Sequence, residues 1–252
     1  MMSAGSRRWL AWAALAAGIA FAVTPTSIAK EPLSAELGVK QLAVDLEYLK
    51  AGLAKKSKNS IKPLKSVAMT IALNAQNLAQ GDKAEAMAGT RDAAIKIATV
   101  LSKEEPDWDK AAKEFEGIAG AKGDGKAKIK FDEAAGFDLQ ELMTVFKPKN
   151  RGGRGLENTL QEQVKAAKDA KAIGELAQSI ALIGQYSELL TGTMDLGPNA
   201  KKWTAHAQDM QKAGAELADE AAKGAKADKA TLTKLLKAVE LNCTNCHKDF
   251  RK

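Results

Sequence analysis

Leu232, Leu235, Leu236, Val239, Cys243, Cys246 and Phe250 recur at three- and four-residue steps near the end of the chain. That spacing draws one apolar stripe along an amphipathic helix. Few stretches elsewhere show the β-branched, two-residue alternation of a strand, and only six prolines interrupt the chain. The pattern predicts an all-α protein with two helical regions, at residues 32–118 and 131–252. Between them lies a Gly-, Lys- and Asp-rich stretch containing Gly120, Gly123 and Gly125, which reads as a linker over residues 119–130.

The two regions read as degenerate copies of one unit. Residues 44–50 (VDLEYLK) parallel 137–143 (FDLQELM), and residues 70–76 (TIALNAQ) parallel 179–185 (SIALIGQ). The offset grows from 93 to 109 residues, which places an insertion in the second copy near the loop 148–155. In that copy, helices are expected near 134–147, 156–191 with a break, 198–222 and 228–251. Short turns between amphipathic helices favour antiparallel neighbours. The expected architecture is therefore two tandem four-helix bundles.

The N-terminus reads as a leader. Arg7 and Arg8 precede an apolar run from Trp9 to Val23, and Ser27-Ile28-Ala29 offers small residues at a cleavage position. A signal peptide over residues 1–29 implies an exported or periplasmic protein. No later segment reaches the ~20 apolar residues of a membrane span.

Aromatics make up 5% of the chain and its formal charge is +7. Lysines and glutamates are interleaved along helical faces rather than grouped, so the charge carries no nucleic-acid signal. It favours acidic partners only weakly. No paired carboxylates, activated nucleophile or phosphate loop is evident. The chain therefore reads as a non-enzyme.

Cys243-Thr244-Asn245-Cys246-His247 is a C-x-x-C-H motif. In this pattern both thiols form thioethers with haem vinyl groups, and the adjacent histidine ligates the iron. A zinc site would need two more ligands, and His206 is the chain's other histidine, with no third cysteine. A thioredoxin-like dithiol would need a βαβ context, which is missing. The expected cofactor is one covalent haem c, held by Cys243, Cys246 and His247. His206 lies among Lys201, Lys202, Gln208 and Asp209 and is expected to be an exposed helix histidine.

A C-x-x-C-H motif in the last turns, followed by Lys248-Asp249-Phe250-Arg251, resembles the class II cytochromes c, the cytochrome c-prime family. The resemblance covers about residues 131–252. It implies a haem on the last helix of a four-helix bundle, with electron transfer in the methionine-ligated branch and binding of small gases such as NO or CO in the five-coordinate branch. It also implies that Arg251 lies near the exposed edge of the haem histidine. In the methionine-ligated branch the sixth ligand comes from the first helix, which points to Met143. The parallel position in the first copy is Lys50, and that copy has neither cysteine nor histidine. The first copy is accordingly expected to be haem-free, a docking or homodimerising element, while the second serves redox partner proteins.

Overall fold

The computed structural model describes residues 35–126, 129, 143–151, 153–192 and 196–250. The expected signal peptide and most of the expected helix 134–147 lie outside these residues. Eight α-helices are described, and the described residues contain no strand. They are α1 (Ala35–Lys55), α2 (Ile61–Leu78), α3 (Ala84–Leu101), α4 (Trp108–Glu116), α5 (Leu156–Lys165), α6 (Ala170–Leu189), α7 (Ala200–Ala222) and α8 (Lys229–Phe250). The all-α expectation holds.

The expected break within 156–191 falls between α5 and α6, and side chains make it. The Gln163 side-chain oxygen accepts hydrogen bonds from the Lys168 and Asp169 backbone N–H groups at 3.0 and 3.2 Å. Asp169 then caps α6 by accepting from Ala172 N–H at 3.0 Å. At the other end of α5, Gly155 has φ +77°, a left-handed turn that glycine adopts without a Cβ clash.

Each half closes into a ring of neighbouring helices. In the first, α1 packs on α2, α2 on α3, α3 on α4, and α4 back on α1. In the second, α5, α6, α7 and α8 do the same. Among the described residues, the fourth helix of this ring is α5. Within the expected helix over 134–147, Met143–Phe146 form a 3₁₀ turn packed against α2 and α5.

The halves share one core. Leu49, Ile71 and Ile97 belong to the same buried cluster as Ile180, Tyr186 and Leu236. Both α1 and α2 pack on α6, and residues 32–252 form one compact unit. Across the seam, Asn77 and Gln185 exchange amide hydrogen bonds of 2.9 and 3.1 Å. Asp45 of α1, fully buried, accepts from Gln41, Thr70 and the Arg154 guanidinium. The expected linker also packs: the Gly123 N–H donates to Glu85 O at 2.9 Å, and Arg91 donates to Asp124 O at 3.3 Å.

The α6–α7 contact sets the position of everything after it. A Cβ on Gly184 would stand 2.5 Å from Gln211 N, and one on Gly214 2.6 Å from Ala181 N. Two hydrogens in place of side chains let these backbones approach closely. That approach fixes α7, and α8 packs on α7.

Candidate functional site

α8 is positioned from its start. Asp228 accepts from the Thr231 N–H at 2.9 Å and from its hydroxyl at 2.6 Å. These bonds hold the Asp228 carboxyl below its ordinary range. The Asp228 N–H in turn donates to Glu220 at 2.8 Å. With its first turn fixed, the helix buries Leu232, Leu236 and Val239. The apolar stripe then runs out toward the C-terminus: Cys243 and Cys246 are half-buried, His247 is exposed, and Leu241 is 58% exposed.

The two thiols are therefore not equivalent, although the sequence placed both on the inward face. Cys243 packs against the core. Burial pushes its thiol up to about 11, with smaller contributions from Cys246, Glu240 and Glu157. The α5 helix packs directly on α8, the helix that carries Cys243. The Cys246 thiol is also raised, by burial and then by Asp249.

The donor set is unspent. Both cysteines are free. His247 makes no hydrogen bond or ion pair among the described residues. Two thiols one helical turn apart, followed at once by an imidazole facing solvent, have the chemistry that covalent haem attachment requires. Among the described residues, no three His, Cys, Asp or Glu side chains gather as a site for a bare metal ion. Among the described residues, the thiols and imidazole thus gather no further ligands with which to bind zinc.

His206 is not the exposed histidine the sequence suggested. Its Nε2 lies 2.8 Å from Asp249 Oδ2, and its side chain is 17% exposed. Lys202 Nζ lies 2.7 Å from the other Asp249 oxygen. Phe250 stands edge-on to Trp203, with ring centroids 5.0 Å apart, and edge-on to His206 at 6.0 Å. Trp203 Nε1 donates to Ser187 O at 2.7 Å. The last turn of α8 is thereby clamped to α7, and through Trp203 to the end of α6. The i, i+3 spacing of Trp203 and His206 was visible in the sequence, but the partner residues 43 and 47 positions away were not.

Met143 is half-buried at the start of its 3₁₀ turn and packs against the core. Backbone bonds from Arg154 N to Val145 O (2.9 Å) and from Gly155 N to Lys147 O (2.8 Å) tie this turn to the start of α5. Arg251 lies outside the described residues.

Residues 197–251 match the family model of Cytochrome C'. The matched segment is α7, α8 and the turns before each, so it contains the C-x-x-C-H motif and the His206–Asp249 clamp. No curated protein and no solved structure matches the chain. The Cytochrome C' match supports a c-type cytochrome with covalently bound haem c. Among the described residues, no helix is long and apolar enough to cross a membrane.

Proposed function

We propose that this protein is an exported electron carrier: a periplasmic c-type cytochrome with one haem that passes single electrons between redox partner proteins.

 The observation that carries this reading is the C-x-x-C-H motif on α8, with both thiols free and the imidazole unspent, inside the segment that matches Cytochrome C'. The haem would supply reversible one-electron chemistry at its iron. Cys243 and Cys246 would hold it by thioether sulfurs, and His247 would ligate the iron. Arg251 would lie beside the exposed edge of that histidine, as the family resemblance implies.

In this reading Met143 supplies the sixth iron ligand. Support comes from the chain's own packing: the Met143 turn sits on α5, and the first turn of α5 carries Glu157, whose charge reaches the Cys243 thiol. A thioether ligand favours the reduced metal and raises the potential. The leader sequence supports export, and the absence of Cys and His before residue 206 supports a haem-free first half.

Denaturing electrophoresis with haem staining tests the central point. The expected result is a coloured band that survives denaturation and is lost in Cys243→Ser/Cys246→Ser. A band that is colourless in the unsubstituted protein would overturn the reading.

A further inference from the structure

A cleft of about 1250 Å³ opens beside α5. None of Cys243, Cys246, His247 or Met143 lines it. Its walls come from α1, the loop 148–155, α5 and α6, so it lies where the two halves of the chain meet.

The charges in this cleft are sorted. Lys149, Arg151 and Arg154 stand on the loop, and Lys55 on the end of α1; Glu162 and Glu175 stand on α5 and α6. Lys55, Lys149, Arg151, Glu162 and Glu175 make no side-chain hydrogen bond or ion pair among the described residues. Cations and carboxylates therefore line one cleft without neutralising each other across it. Arg154 is the built part of the site. Its side chain is 8% exposed, and Nη1 is held by the buried Asp45 carboxylate. No other acceptor in the described residues takes its remaining N–H donors.

The cation wall is also held in place. Backbone bonds of Arg151 N and Gly153 N to Pro148 O, at 2.9 and 3.1 Å, and those of Arg154 and Gly155 to the 143–147 turn fold the loop on itself. Val44, Tyr48 and Leu156 add apolar surface between the charges. A purely anionic ligand would meet the two carboxylates, and a purely cationic one would meet four basic groups. A ligand carrying both charges at its two ends satisfies both walls.

We propose that this cleft binds a zwitterion of the amino-acid or short-peptide class, its carboxylate toward Arg154, Arg151 and Lys149 and its ammonium toward Glu162 and Glu175. The site is independent of the haem reading.

Titration calorimetry of the full-length protein with trialanine, N-acetyl-trialanine and trialanine amide tests it. Trialanine should bind saturably. Lys149→Ala/Arg151→Ala should weaken it about tenfold or more, the loss expected for charge-assisted hydrogen bonds. Glu162→Gln/Glu175→Gln should weaken trialanine but leave the already weaker N-acetyl form unchanged. These positions avoid the Arg154–Asp45 pair, and unchanged far-UV circular dichroism confirms that the variants fold. Absence of saturable heat with trialanine, or binding that neither double variant alters, overturns the proposal. Binding that depends on the cations alone overturns the zwitterion assignment.

Discussion

His206 on α7 and Asp249 on α8 meet at 2.8 Å, two residues beyond the expected iron ligand His247. The contact joins residues 43 apart in sequence on consecutive helices and holds the turn that carries the motif's histidine. His206→Ala should leave the helix content intact and free the end of α8. Amide hydrogen exchange at residues 246–250 should rise about fivefold, as expected for loss of one modest local contact. Unchanged exchange there would show that Phe250 against Trp203 is a sufficient clamp.

Met143→Ala tests the sixth ligand. Loss of the thioether should shift the iron toward high spin and let carbon monoxide bind readily, seen in the optical spectrum of the reduced protein. If the unsubstituted protein is already high-spin and binds carbon monoxide, Met143 is a packing residue and the protein binds gases instead.

The inequality of the thiols predicts an order of labelling in haem-free protein. With the Cys243 thiol raised to about 11, only about one part in a thousand is thiolate at pH 8. Iodoacetamide should therefore modify Cys246 first, and peptide mass spectrometry should find Cys243 protected until the fold is opened with denaturant. The sign for stability follows: the folded state prefers the protonated thiol, so haem-free protein should lose stability as pH rises from about 9 toward about 11. Equal labelling at pH 8 would contradict the burial.

Asp45 gives a second pH signature. Burial raises its carboxyl from the ordinary 3.8 to about 6, against the opposing pull of Arg154. Its folded-state pKa is raised, so its contribution is present at acid pH and is lost as pH rises from about 4 to about 6, by roughly 3 kcal/mol. Asp45→Asn removes that titration. Urea unfolding across this range should show the variant gaining on the unsubstituted protein with rising pH. A constant difference would mean that Arg154 fully offsets the desolvation, and a difference of the opposite slope that it outweighs it.

Much of the fold was legible because it is local. The α8 stripe, the glycine-bearing turns and the break before Asp169 are written within single turns of helix. The motif Cys243-x-x-Cys246-His247 was equally legible, since its chemistry needs only adjacent residues. What the sequence hid was long-range. The Asp249 partner of His206 sits on another helix. Gln163 and Asp169 cut 156–191 in two, and the resulting α5 packs on both α6 and α8. His247 is exposed even though Asp249 and Phe250, two and three residues further on, contact α7.

The seam between the halves has a further meaning for how this chain can change. Helices α1 and α2 cover α6, and Asn77 and Gln185 pair across the join. The first half has neither cysteine nor histidine, so what it contributes to the second half is packing. It cannot be deleted, because its removal would strip the cover from the hairpin that carries α7 and α8. A segment without the motif's chemistry thereby serves the motif by its shape.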